Sequence, residues 1–145
     1  MDVRRQSKVE VHYHLVWATK NRQHWLEGAK ERLVYSVIRQ EAEEVGCVVL
    51  ALNGMPDHVH LVVRTRSMVS PAALAKQVKG VSSTCLNEAR LLGDELFRWQ
   101  DGYACFSLSR SHVARVVAYV ERQKEHHKVQ ALWADWEETD VEVRD

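Results

Sequence analysis

No stretch of this chain approaches the roughly 18 consecutive apolar residues that a membrane-spanning helix needs, and the opening MDVRRQSKVE carries no apolar core of the kind found in a secretory signal. No membrane association and a cytoplasmic location are therefore expected. Cysteine is scarce. Cys47, Cys85 and Cys105 are odd in number and scattered, which argues against a disulfide framework or a zinc ribbon and leaves them as reduced packing residues. Repeats and low-complexity segments are absent as well. Net charge is zero, 20 basic residues against 20 acidic, and taken alone that argues weakly against a polyanionic partner.

The distribution of charge says more than its sum. Residues 131–145, ALWADWEETDVEVRD, hold six acids and one base, which leaves 19 basic and 14 acidic residues in 1–130, a net of +5. The 145 residues, 46% of them hydrophobic, suit a single domain with an ordinary core. One mildly basic domain over 1–130 followed by an acidic tail over 131–145 is the expected organisation.

Residues 11–19, VHYHLVWAT, alternate and are rich in β-branched and aromatic types, the pattern of a strand. From Glu27 to Val45, Leu33, Val37, Ile38, Ala42 and Val45 recur at helical spacing, and Gly46 follows as a stop. CVVLALNGM predicts a second strand and HVHLVVRT a third, joined through the turn residues of NGMPD into a hairpin. Ser70-Pro71 opens a second helix to about Glu88, with Leu74, Val78, Val81 and Leu86 as its apolar stripe. RLLGDELFRWQDG reads as a connector holding about one turn of helix. YACFSLS predicts a fourth strand, after which Ser109 or Ser111 caps a last helix running to about Lys128. The order β-α-β-β-α-β predicts an α+β fold, a ferredoxin-like, RRM-like four-stranded antiparallel sheet with two helices on one face. The last helix or a partner molecule must then cover the other face.

MPDHVHLVV, from Met55 to Val63, sets His58 and His60 one residue apart. Strand side chains alternate, so the two imidazoles share a face while Val59, Leu61 and Val63 share the opposite one. The apolar face should pack under the helices, which places the histidines exposed on the open face. Two neutral imidazoles side by side are half of a metal site that needs a third ligand and an open position. Polar residues that merely alternate outward produce the same pattern. In VVAYVERQKEHHK, Tyr119 and Gln123 are four residues apart and fall on one helical face. Gln123 offers a carbonyl oxygen as third ligand, and Tyr119 offers a phenol. With a pKa near 10 that phenol is a poor nucleophile unless a cation polarises its target and something helps remove its proton. Tyrosine and glutamine at this spacing also serve structural ends.

With YHLVWATKNR before it and GYACFSLSRSHVARVVAYVERQKEHH after it, MPDHVHLVV resembles the small single-tyrosine HUH transposases of bacterial insertion sequences, the TnpA type. These share their nuclease chemistry with relaxases and rolling-circle replication proteins. The resemblance runs from about Val11 to Lys128. It implies that His58 and His60 are paired metal ligands, Gln123 the third ligand and Tyr119 the nucleophile. It further implies a metal-dependent endonuclease and strand transferase acting on single-stranded DNA and recognising hairpin DNA at element ends. The tyrosine would attack a phosphodiester to leave a 5′-phosphotyrosine link and a free 3′-hydroxyl, and another strand's hydroxyl would reverse the step. No nucleoside triphosphate is needed, in keeping with the absence of a GxxxxGK[ST] loop. The implied cofactor is Mg2+ or Mn2+, orienting the scissile phosphate, with the nitrogen-rich ligand set favouring Mn2+ in affinity. A homodimer is implied too, in which the tyrosine can work against the partner's histidine pair.

Other residues are weighed beside these. His12 and His14 form a second HxH in a strand expected to neighbour the third, so four histidines could converge on one metal. That would leave Gln123 without a task, and His12 and His14 are read as ordinary strand residues. Asp57 either orients a ligand imidazole or forms the turn after Pro56. His126 and His127 are read as helix-end residues beside the local dipole. For DNA, Lys20, Arg22, Lys76, Lys79 and Arg98 are candidate phosphate contacts, and Trp99 is a base-stacking surface unless it belongs to the core. WADWEE either docks over a basic groove or hangs free. Two rival functions stand beside the transposase: a domesticated, noncatalytic relative that binds hairpin nucleic acid, and a metal hydrolase using His58 and His60 on a small substrate. Tyr119 weighs against the binder, which has no use for a nucleophile.

Overall fold

A computed structural model describes residues 7–125 of the chain. The strands are β1 (Val11–Ala18), β2 (Val48–Met55), β3 (His58–Thr65) and β4 (Ala104–Leu108), and the helices are α1 (Gly28–Glu44), α2 (Pro71–Glu88) and α3 (Val113–Glu121). All four strands pair antiparallel in the order β2-β3-β1-β4, which is the ferredoxin-like arrangement expected from the sequence.

Period-two alternation sorts the strand side chains between two faces. Leu15 and Trp17 from β1 and Val59, Leu61 and Val63 from β3 pack with Val34 and Ile38 of α1 and Leu74, Val78 and Leu86 of α2 to form the main core. The other face carries Ala51 and Val62, and α3 closes over them with Val120. The last helix therefore supplies the cover that the open sheet face required. Local signals set the helix ends: Ser70 Oγ accepts the Ala73 N–H at 3.0 Å, and Pro71 fills the first turn, where its missing N–H costs nothing. Gly46, at φ 104°, takes the left-handed conformation just beyond α1.

Three expectations are corrected. α3 stops at Glu121, well short of Lys128. Arg122 leaves the helical region, and its N–H is shared between the Ala118 and Tyr119 carbonyls, so the chain tightens into a 3-10 turn over Gln123–Glu125. Neither Ser109 nor Ser111 caps α3, because Ser109 Oγ bonds the His112 ring at Nδ1, 2.5 Å away, and His112 occupies the cap position. The connector after α2 forms turns without a helix. His126, His127 and the acidic tail lie outside the described residues. Among those described, no helix is long and apolar enough to cross a membrane.

Candidate active site

The β2-β3 hairpin delivers the first two candidate ligands. Gly54 faces Val59 across the pair, and a Cβ at position 54 would collide with the carbonyl oxygen of His58, so only glycine lets the strands close where the histidine strand begins. His58 and His60 do share a face, opposite Val59 and Leu61. Contrary to expectation they are not exposed: His58 retains 6% of its surface and His60 none, because α3 lies across that face. Gln123, at 4%, is buried with them.

Tyr119 is half-buried on α3, its ring edge-on to His60 of the same chain with centroids 6.0 Å apart. Although the helix breaks before Gln123, the tighter turn still holds that side chain within hydrogen-bonding reach of both Tyr119 and His60. Burial raises the Tyr119 phenol above its ordinary 10, and the Gln123 hydrogen bond opposes that shift without overcoming it. The phenol is thus neutral at physiological pH, and its attack on any electrophile needs outside polarisation.

Each histidine commits Nδ1 to a neighbour. His58 Nδ1 meets Asp57 Oδ1 at 2.7 Å, and Asp57 Oδ2 pairs with Arg22 Nε at 3.2 Å. Burial would raise the Asp57 carboxyl, but the hydrogen bond from His58 and the neighbouring Arg22 guanidinium outweigh it and hold the group below its usual range. His60 Nδ1 meets His14 Nε2 at 2.9 Å, the rings edge to edge with centroids 5.1 Å apart. Burial drives His14 down to about 4 and holds His60 well below 6.5, with His14 and His58 adding to the effect on His60 and Gln123 opposing it. Neutral imidazoles result, the form that ligates metal. Nε2 is then the nitrogen each of His58 and His60 can offer a cation.

Two imidazole nitrogens and a glutamine oxygen are a donor set suited to a divalent cation. Gln123, buried beside the two imidazoles and within hydrogen-bonding reach of His60, brings a carbonyl oxygen that can complete the set. The residues present fit the group. No group of three or more His, Cys, Asp or Glu side chains placed to hold a metal occurs among the described residues, and His14 turns its Nε2 onto His60. His14 is nonetheless no ordinary strand residue, since it supports His60. Its signal was available in the second HxH, but the sequence does not reveal the contact. Asn53 and Lys124 were missed altogether: Asn53 Nδ2 donates to the Glu121 carbonyl at 3.0 Å, and Lys124 Nζ reaches Gly54 O, Glu31 and Asn53.

The candidate DNA contacts separate. Trp99 is core: 8% exposed, edge-on to Trp17 and Phe97, and donating Nε1–H to Ser82 Oγ at 3.0 Å, so it is no stacking surface. Lys79 straps the connector, donating to the carbonyls of Gln100 and Gly102. Lys20 and Arg98 adjoin each other through a 2.9 Å backbone hydrogen bond beyond the end of β1, and Arg22 sits on Asp57 beside His58. Lys76 is exposed on α2.

Comparison with known proteins gives the family and the fold. The family model described as "Transposase IS200 like" matches residues 7–123. The chain is 28% identical over 120 residues to the ISDra2 transposase TnpA of Deinococcus radiodurans, an alignment covering 79% of this chain and 84% of that protein. A crystal structure described as a transposase from Deinococcus radiodurans R1 superposes with a TM-score of 0.65 at 27% identity, covering 85% of this chain and 98% of the other. A REP-associated tyrosine transposase bound to a REP hairpin superposes at 0.64 over 88% of this chain and 75% of that one, at 13% identity, a likeness of fold.

Proposed function

This chain belongs to the IS200-like transposase family, and from that premise we propose that it cuts and rejoins single-stranded DNA through Tyr119, with His58, His60 and Gln123 holding Mg2+ or Mn2+ beside it. The observation that carries the reading is the approach of Tyr119 to His60, 6.0 Å between ring centroids, with Gln123 in reach of both. When bound, the cation would polarise the scissile phosphate and offset the charge that develops on it.

Tyr119 supplies the nucleophile. Its oxygen bonds to phosphorus, the bond from phosphorus to the 3′ oxygen breaks, the phenol proton is lost and a proton returns to the leaving oxygen. A 5′-phosphotyrosine and a free 3′-hydroxyl result. Attack by the 3′-hydroxyl of another strand reverses each of these changes and frees the tyrosine, so no other energy source is consumed. Gln123 positions the phenol through their hydrogen bond, while the burial of His58 and His60 under α3 keeps bulk water from their ligand nitrogens. The approach of Tyr119 to His60 of its own chain supports attack in cis, within a homodimer of the kind the family resemblance implies.

The substrate is single-stranded DNA with a hairpin end. Lys20, Arg22 and Arg98, gathered near the start of β3, suit its phosphates, and a protein of the same fold is seen bound to a REP hairpin. A noncatalytic binder would need none of the Tyr119 constellation. The test is covalent capture: protein, Mn2+ and labelled single-stranded hairpin DNA should yield an adduct that survives denaturation and is lost with Tyr119→Phe or a chelator. DNA retarded in a native gel by the unaltered protein, with no adduct under any metal, would replace the transferase reading with the binder.

A further inference from the structure

An imidazole binds a cation only through a nitrogen that carries no hydrogen, and in a neutral ring the partner of the other nitrogen decides where the hydrogen sits. For His58 the choice is made. The partner of Nδ1 is the Asp57 carboxylate, which accepts and cannot donate, so Nδ1 carries the hydrogen and Nε2 is bare. For His60 the partner is another imidazole, able to donate or to accept across the same 2.9 Å contact. Only one of the two arrangements lets His60 join the ligand set.

We propose that His14 is a positioning residue: its Nε2 accepts the Nδ1–H of His60, selecting the tautomer whose Nε2 can hold a cation. This rests on the reading of His58, His60 and Gln123 as metal ligands. The sheet delivers the contact. β1 and β3 pair with His14 opposite Val62 and Val16 opposite His60, which makes the two histidines diagonal neighbours on one face. His14 is 1% exposed and lies edge to edge with His60, the ring planes 25° apart, so burial fixes its position and the near-coplanar rings suit a hydrogen bond along their edges. The opposite tautomer would set an N–H of His60 among the ligands, with the Gln123 carbonyl within reach to accept it. His14 and Gln123 thus compete for one hydrogen of His60, and His14 must win for the site to assemble.

Long-range proton–nitrogen NMR on uniformly labelled, metal-free protein reads the tautomer directly. The unaltered protein should show His60 with hydrogen on Nδ1, bare Nε2, and a through-hydrogen-bond coupling between His60 Nδ1 and His14 Nε2. In His14→Phe, which keeps a ring but no acceptor, His60 should move toward the Nε2–H form. His14→Gln, whose amide oxygen can accept, should restore it. Calorimetric Mn2+ affinity should fall about 10- to 100-fold in His14→Phe and stay within about threefold in His14→Gln. A hydrogen on His60 Nε2 in the unaltered protein overturns the proposal, as does a tautomer unmoved in His14→Phe. Should either variant fail to fold, the unaltered protein's spectrum decides by itself. His60→Ala separates the two levels: Mn2+ affinity undiminished in that variant removes the ligand reading, whatever the tautomer proves to be.

Discussion

Lys124 Nζ lies 2.8 Å from the carbonyl oxygen of Gly54, which ties the turn carrying Gln123 to the hairpin that presents His58. The same ammonium reaches Glu31 Oε2 at 2.7 Å and Asn53 Oδ1 at 3.1 Å, while Asn53 Nδ2 holds the carbonyl of Glu121. Both sides of the break after α3 are therefore anchored to β2. The Lys124 side chain keeps 51% of its surface, so solvent screens these contacts and their share of global stability is small, about 0–1 kcal/mol. Their effect on position is larger. Lys124→Met should lower the melting temperature by only a few degrees, yet slow single-turnover adduct formation about tenfold, because misplacing a reacting group by an ångström is costly. An unchanged rate in this variant would remove Lys124 from any positioning role.

Gly54 itself makes a second case. An alanine there would drive its Cβ into the backbone oxygen of His58, and backbone has no rotamer with which to give way. Gly54→Ala should cost roughly 1–3 kcal/mol in urea unfolding, the range for forced overpacking, and should lower Mn2+ affinity because His58 must shift. A variant as stable as the parent would show that the hairpin opens there more easily than its close pairing suggests.

His60→Ala carries a stability consequence that an exposed histidine would not have. His60 is fully buried and hydrogen-bonded edge to edge with His14, so truncation opens a void and removes a buried polar partner together. A loss of roughly 1–3 kcal/mol is expected in metal-free protein, measured by urea unfolding. No loss would mean that the second HxH takes up the space without strain.

The reach of the sequence can be judged from these same residues. Strand order was legible because each strand has its own alternation, and NGMPD, Gly46 and Ser70-Pro71 mark the joints. That His58 shares a face with His60, and Tyr119 with Gln123, was legible from spacing; that the two pairs meet was implied only by the family resemblance. Burial of His58 and His60 was not, since it depends on where α3 lies, which no local pattern encodes. The end of α3 was hidden for a related reason: VVAYVERQKEHHK has neither glycine nor proline, and contacts from Asn53 and Lys124 hold the tightened turn. Trp99 looks the same in a sequence whether it faces Phe97 or solvent. His14 was visible as half of an HxH, but its task depends on the register between β1 and β3.

Acid should weaken this fold before it protonates most carboxylates. Burial lowers His14 from 6.5 to about 4 and His60 well below 6.5, so the folded protein refuses protons that the unfolded chain accepts once pH falls under about 6.5. The unfolded state binds more protons in that window, and stability therefore rises with pH there. It is fully present above 6.5 and drains away as pH falls toward 4. The His14 shift alone corresponds to about 3 kcal/mol, a large part of what a small domain possesses. Asp57, held below its usual range, adds a loss only at still lower pH and leaves the window uncontaminated. Urea unfolding in a chelator at pH 7.5, 6.0 and 5.0 should give a falling free energy, and His14→Phe should flatten part of the slope. A profile level between pH 7 and 5 would mean that these imidazoles take up charge inside the fold, and a charged His60 could not serve as a ligand.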